Sequence, residues 1–287
     1  MTDDPFVTHR SLLFTVAYEM LGSAADAEDV VQETWLRWAD VDQAQVRDPR
    51  AYLVRIVTRL ALNRLRTVAR RREEYVGEWL PEPLLTSPDV AEDIELAGSV
   101  SIAMLTVLET LGPVERAVFV LREVFETPHD EIAEAVGKTP AAVRQIAHRA
   151  REHVAARRPR MQVDQAQQQA AVETFMTAIS TGDVQALVDV LAPDVVVIAD
   201  GGGFVAAARK PITGRDTVVA FLARAAKITD LVVTTAWLNG MPGALIDRRG
   251  AATAVSLVVE DGRITRIYAI ANPHKLGRLE QVADLRR

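Results

Sequence analysis

The sequence predicts a multidomain fold: two all-α domains, the second carrying a helix-turn-helix, followed by an α+β domain. Three observations lead there. Apolar residues recur at helical spacing from residue 9 to residue 158, with one proline-containing acidic break. HDEIAEAVGKTPAAVRQIAHRAREHV (129–154) sets a glycine turn between two short amphipathic stretches. Beyond Arg157-Arg158-Pro159 the period shortens toward two, the alternation of strands. The boundaries expected are 1–73 for the first helical domain, 74–93 for the linker, 94–158 for the second and 164–287 for the α+β domain.

Composition narrows the chemistry. The 287 residues are long enough for two or three domains, and 49% hydrophobic with 25% charged residues describes globular protein. Cys is absent, which excludes disulfide frameworks, Cys-ligated zinc and thiol catalysis. No apolar run approaches the ~20 residues of a membrane span. MTDDPF opens acidic without a signal-peptide core, so a cytoplasmic location without membrane attachment is expected. The net charge of −6 conceals segregation. Residues 47–72 hold nine Arg against Asp48, residues 73–98 hold eight acids and no Lys or Arg, and residues 138–160 are basic again, seven to one. Two basic surfaces separated by an acidic connector are expected.

In the first domain DAEDVVQETWLRW (26–38) is the most sharply patterned stretch. Val30, Val31, Thr34, Trp35 and Trp38 form one apolar stripe, and Asp29, Gln32, Glu33 and Leu36 cluster on another face. That face is acidic, with a leucine set into it. DPRAYLVRIVTRLALNRLR follows, with Asp48 as N-cap, Pro49 at the first helical position, and Leu53, Ile56, Val57 and Leu60 at helical spacing. EYVGEWLPEPLLTSPDVAED (74–93) has three prolines and predicts an extended linker.

In the second domain breaks are expected at Leu111-Gly112-Pro113 and at Gly137. Thr139 caps the second helix of the helix-turn-helix, which starts at Pro140. Val143, Ala147, Ala150 and Val154 face inward; Arg144, Gln145, His148, Arg149 and Arg151 face out. Arg and Gln suit bidentate contacts to guanine and adenine edges in the major groove. An ordinary helical hairpin with a solvated basic face is the plainer alternative for this stretch alone.

The third domain opens with a helix over roughly 164–181. VVVIA (195–199), FVAAA (204–208), LVVTTAWL (231–238) and AATAVSLVV (251–259) are β-rich, and Asp261-Gly262 marks a two-residue hairpin turn. GRDTVVAFLARAA (214–226) inserts an amphipathic helix among strands expected to be mainly antiparallel.

Taken in order, DAEDVVQETWLRW, DPRAYLVRIVTRLALNRLR and LGPVERAVFVLREVF…HDEIAEAVGKTPAAVRQIAHRARE resemble an extracytoplasmic-function sigma factor over residues 8–155. The resemblance implies that the first is the sigma region 2 face for core RNA polymerase, the second the −10 promoter segment, and the third sigma region 4. Asp29, Gln32, Glu33, Trp35 and Leu36 would then contact the polymerase clamp. Arg55, Arg59, Asn63, Arg64 and Arg66 would meet the −10 DNA. Arg144, Gln145, His148 and Arg149 would read −35, with Lys138, Thr139 and Arg151 beside them, Lys138 and Arg151 on phosphates.

The remaining domain resembles the SnoaL-like cone, the fold shared with nuclear transport factor 2, found as an extension in a group of sigma factors that includes the sigma factor J type. WLPEP (79–83), ADGGG (199–203) and NPHKL (272–276) carry that resemblance. It implies a regulatory set of Trp79, Leu80, Pro81, Asp200, Gly201, Gly202, Gly203, Asn272, Pro273 and His274. The cone would regulate in cis, with no separate anti-sigma factor required. No cofactor, metal or catalytic residue is expected, although Asp200 and His274 are the available acid–base pair, with Trp237 and Tyr268 as lining. Two rival readings are a SnoaL-like enzyme or ligand sensor fused to a DNA-binding module, and a helix-turn-helix repressor. The repressor leaves the acidic helix unexplained.

Overall fold

The computed structural model describes residues 4–157, 165–226 and 231–287. Residue 164, the expected start of the third domain, lies outside them. Three helices come first: α1 (Pro5–Leu21), α2 (Ala24–Ala39) and α3 (Pro49–Glu73). A short strand β1 (Leu85–Thr86) and two short helices, α4 (Pro88–Glu92) and α5 (Ile94–Val100), follow. Then come α6 (Ile102–Leu108), α7 (Pro113–Phe119) with a π-turn over Val120–Val124, α8 (His129–Val136) and α9 (Pro140–Ala155). The remainder is α10 (Gln165–Thr181), α11 (Val184–Val190), β2 (Leu191–Asp200), β3 (Ile212–Thr213), α12 (Arg215–Ala226), β4 (Leu231–Leu238), β5 (Met241–Arg248), β6 (Ala251–Glu260), β7 (Arg263–Ile270) and β8 (Val282–Ala283).

Helix boundaries follow local chemistry. Asp48 accepts from the Ala51 amide at 3.0 Å ahead of Pro49, and Thr139 accepts from the Ala142 amide at 3.2 Å ahead of Pro140. Gly22 and Gly137 close α1 and α8 in the left-handed region, at φ 67° each.

Two compact units result. The first contains residues 1–73, 104–157 and 284–287, so α1–α3 and α7–α9 belong to one body, while α5, inside the expected 94–158 domain, does not. Arg116 of α7 is 2% exposed, donates to the Glu19 carbonyl of α1 at 2.9 Å and pairs with Glu109. Burial pulls its pKa down while Glu19 opposes the shift. The C-terminal tail belongs here too: Ser11 donates to Asp284 at 2.6 Å and the Arg286 amide to Thr15 at 3.1 Å.

The second unit holds residues 74–103 and 158–283 around a sheet of order β3-β2-β7-β6-β5-β4-β1-β8. Most neighbours are antiparallel; β2 with β7 and β1 with β8 are parallel. Phe175, Val172, Leu187, Val218 and Leu222 from α10, α11 and α12 bury against Val197, Leu257 and Ile267 of the sheet. A second core joins Leu80 and Ile102 to Leu238, Val258, Tyr268 and Ile270.

Two expectations are corrected, and one strand was not expected. The 74–93 segment is not extended throughout, because Pro88 starts a helical turn at α4 and Leu85-Thr86 pair as a strand. FVAAA is not a strand: the Phe204 and Val205 amides both bond to the Gly201 carbonyl, which folds the chain into a turn. MPGALIDR, which Pro242-Gly243 disguises as a turn, is strand β5, joined to β4 by Asn239 and Gly240, both at positive φ. The Asp261-Gly262 hairpin forms as expected, with φ of 50° and 72°.

Candidate polymerase and DNA surfaces and a buried linker lock

On α2 the structure sorts the stripe from the face. Val30, Val31, Thr34 and Trp38 are buried, but Trp35 is 47% exposed and leaves the stripe for the side where Leu36 is 57% exposed. A tryptophan five residues after Val30 has turned too far to reach the core. Asp29, Gln32 and Glu33 are exposed beside them. The acids are not all unengaged: Glu33 pairs with Arg37 at 2.7 Å, and Asp29 with Arg64 at 3.3 Å. Trp38 anchors the helix by donating to Asp4 at 3.1 Å.

The α3 arginines divide. Arg64 donates through Nε to Asp26 at 2.8 Å, and that hydrogen bond, opposed by burial and reinforced by Asp26 and Asp29, raises its pKa. The structure therefore places Arg64 against α2 rather than on open surface. Arg66 and Asn63 are exposed and hydrogen-bonded to each other at 3.3 Å. Arg55 pairs with Glu134 of α8 at 2.9 Å, and Arg59 donates to the Glu134 carbonyl at 2.8 Å and the Ala135 carbonyl at 3.4 Å.

On the helix-turn-helix, Arg144, Gln145, His148 and Arg149 are exposed over buried Val143, Ala147, Ala150 and Val154. Lys138 is exposed in the turn; the Thr139 hydroxyl caps α9. His148 lies 3.6 Å from Glu152. Arg151 is held in two-point fashion by Glu123 at 2.7 and 3.1 Å, which raises its pKa.

The second unit gathers several of the residues expected to be regulatory around one carboxylate. Asp200 has no exposed surface. It accepts from Tyr75 Oη at 2.5 Å, the Leu80 amide at 2.9 Å, the Gly202 amide at 3.0 Å and Lys275 Nζ at 2.6 Å. Asn272 donates to Tyr75 Oη at 2.7 Å. Lys275 also donates to the Leu80 carbonyl and lies 4.1 Å over the Trp79 ring and 4.9 Å over Tyr75. Burial, and then the hydrogen bond to Asp200, push the Tyr75 pKa up. Gly202 and Gly203 sit at φ 59° and 80°, and a Cβ on Gly202 would meet Asn272 Nδ2 at 2.3 Å. Pro81 and Leu80 are buried, and Trp79 is half-buried.

Further along the linker Leu84 exchanges hydrogen bonds with Asn239, whose side chain also donates to the Val100 carbonyl at 2.8 Å. Leu85 pairs with Leu238, so the linker adds a strand to the sheet. The apolar cluster of Trp79, Leu80, Leu84 and Leu85 is thus largely covered.

The Asp200–His274 pair does not form. His274 is exposed and packs edge-on to Phe204 at 4.5 Å, while Asp200 is spent on four donors. Pro273 is exposed beside it. Tyr268 is 1% exposed and packed in the second core, not lining a cavity. Trp237 borders a cleft of about 90 Å³ with Gln169, Glu173 and Pro242, well below the ~300 Å³ of small-molecule sites. Among the described residues no group of three His, Asp or Glu is placed to hold a metal ion. No helix among them is long and apolar enough to cross a membrane.

Sequence reasoning missed Lys275, Tyr75 and Asn239. Lys275 carried a signal: it is one of only four lysines in a chain that otherwise uses arginine for its cations. A compact ammonium fits a buried site between two rings where a guanidinium fork does not.

Comparison with known proteins agrees with this geometry. Residues 6–72 match the Sigma-70 region 2 family and residues 101–154 the Sigma-70 region 4 family. The chain is 37% identical over 286 residues to the ECF RNA polymerase sigma factor SigJ of Mycobacterium tuberculosis strain H37Rv, covering 94% of this chain and 91% of that one. It is 33% identical over 277 residues to the probable ECF RNA polymerase sigma factor SigI of the same organism, covering 94% and 93%. The crystal structure of M. tuberculosis SigJ superposes with a TM-score of 0.77 at 34% identity, over 96% of this chain and 98% of that chain. With both sigma regions in order and full-length relatives of one kind, the protein belongs to the extracytoplasmic-function (ECF) RNA polymerase sigma factor family.

Proposed function

We propose that this sigma factor docks on core polymerase through the exposed α2 face, meets the −10 element with α3 and the −35 element with α9, and is regulated in cis by its C-terminal domain. As a member of its family the chain binds core RNA polymerase and promoter DNA and directs promoter-specific initiation; it is not an enzyme. Relatives that span the whole chain are sigma factors, so the enzyme reading has no support. Asp29, Gln32, Glu33, Trp35 and Leu36 form the polymerase face, an apolar centre rimmed by acids of the kind that steers association. Arg55, Arg59, Asn63 and Arg66 are assigned to −10 DNA, with Arg64 orienting the acidic face. Arg144, Gln145, His148 and Arg149 are assigned to −35 base edges and Lys138 to phosphate, with Arg151 and Thr139 holding α9 in place.

The single observation that supports cis regulation is the buried lock on the linker. Residues 74–103 join region 2 to region 4, yet they belong to the C-terminal unit and are tied there by Asp200, Lys275, Asn239 and a strand pairing. The tether between the two DNA-reading regions therefore runs through the regulatory domain, in the position a separate anti-sigma protein would otherwise occupy functionally. The domains assigned are 1–73, 74–93, 94–158 and 164–287, with 94–103 packing in the C-terminal unit. Transcription in vitro with core polymerase tests the reading, comparing the full chain with chains ending at residue 159 and at residue 271. Distinct activities for the three support cis regulation; equal activities at equal folded concentration reject it.

A further inference from the structure

We propose that the first helix of the helix-turn-helix, α8, is an in-chain decoy for promoter phosphates: the Glu134 carboxylate and the carbonyls of its last turn hold Arg55 and Arg59 of α3 and must be displaced before −10 DNA can bind. The proposal rests on the assignment of Arg55 and Arg59 to −10 DNA. The first observation is occupancy. Arg55 is paired with the Glu134 carboxylate at 2.9 Å, and Arg59 donates through Nη2 to the Glu134 carbonyl and through Nε to the Ala135 carbonyl. These are anionic and partially anionic oxygens, the atoms that phosphate would supply. The carbonyls lie in the last turn of α8, where the helix dipole adds negative charge.

The second observation is the composition of α8. HDEIAEAV carries Asp130, Glu131 and Glu134 and no Lys or Arg, while the helix that follows it across Gly137 is basic. One half of the DNA-binding motif is therefore charged against DNA. Glu131 and Glu134 border a cleft of about 370 Å³ whose opposite wall is Arg47, Asp48, Tyr52 and Arg55. Burial, followed by Asp48 and Asp130, raises the Glu131 pKa against the pull of Arg50. Tyr52, with Arg55 stacked 5.2 Å from its ring centre, lines the same cleft. DNA approaching this wall meets two carboxylates where its own phosphates must go, and like charges cannot share the site.

The arrangement sets an order of events. Arg55 and Arg59 serve α8 or DNA, not both, so α3 and α8 must part when −10 is bound. An exposed ion pair such as Arg55–Glu134 is weak, which makes the decoy displaceable by a polyanion rather than a permanent block.

The experiment uses the full chain, free of polymerase, and a fluorescent single-stranded oligonucleotide carrying the −10 non-template sequence. E131Q/E134Q keeps the shape of both side chains and removes both charges. Affinity for the oligonucleotide is expected to rise about fivefold, the upper range for one lost surface pair. R55A is the companion variant and is expected to weaken binding in either background. Because the chain has no native Cys, spin labels at T67C on α3 and H129C on α8 report α3–α8 separation, and their distance distribution is expected to broaden in E131Q/E134Q. Unchanged affinity and unchanged distances in E131Q/E134Q, with R55A still weakening binding, overturn the decoy and leave the −10 assignment standing. An R55A variant that binds as well as the parent overturns both.

Discussion

Replacing Asp200 by Ala removes the acceptor on which the linker lock converges, and the structure sets the size of the effect. The carboxylate is fully buried, and its partner Lys275 has a side chain only 8% exposed. Asp200→Ala leaves that ammonium buried without its counter-ion and strips acceptors from the Leu80 amide and Tyr75 Oη. Breaking a buried pair from one side costs about 3–5 kcal/mol. Lys275→Met is milder, because Asp200 retains the Tyr75 hydroxyl and the amides of Leu80 and Gly202. A carboxylate with such donors stays well solvated by the protein, and roughly 2 kcal/mol is expected from the lost contacts over Trp79 and Tyr75. The double variant should cost less than the sum of the two, with a coupling of about 1–3 kcal/mol. Because the chain forms two units, one global unfolding signal would mix them. Hydrogen exchange of the β2 and β7 amides in rising urea reads the C-terminal unit alone, and the Leu80 amide reports the lock itself. Additive costs, or an Asp200→Ala penalty below about 1 kcal/mol, would refute the claim that this pair is the buried centre of the lock.

Three further outcomes are expected. Asp29→Arg with Glu33→Arg should abolish capture by core polymerase while circular dichroism stays unchanged, since like charges across an interface cost several kcal/mol; retained capture removes this face from the polymerase assignment. Arg144→Ala and Arg149→Ala should each lose ~1–3 kcal/mol selectively across a panel of −35 variants, whereas Lys138→Ala weakens all of them and lowers the salt slope by about one. Identical behaviour of the two groups contradicts the base-reading assignment. Gly202→Ala combines a strained φ of 59° with a Cβ placed 2.3 Å from Asn272 Nδ2, so the 200–204 turn should lose exchange protection. A protected turn in that variant would show that the contact yields without cost.

The sequence by itself determined what depends on local periodicity and capping. The α2 face, the Asp48-Pro49 start of α3, the Thr139-Pro140 start of α9 and the Asp261-Gly262 hairpin follow from residues within one or two turns of each other. The motif order sufficed for the family because sigma regions are read in short helices. Strand β5 was hidden because Pro242-Gly243 has turn chemistry, and only pairing with β4 and β6 overrides it. Tertiary structure alone decided the partners of charges. Arg64 and Arg151 were indistinguishable in sequence from the neighbours assigned to DNA, yet Asp26 and Glu123, 38 and 28 residues away, claim them. Asp200 had an acid–base reading until Lys275 and the Leu80 amide, 75 and 120 residues distant, filled its lone pairs and left His274 to Phe204. A side chain's periodicity is set by its own helix or strand, but the use of its charge is set by whichever oppositely charged group the fold brings within hydrogen-bonding distance.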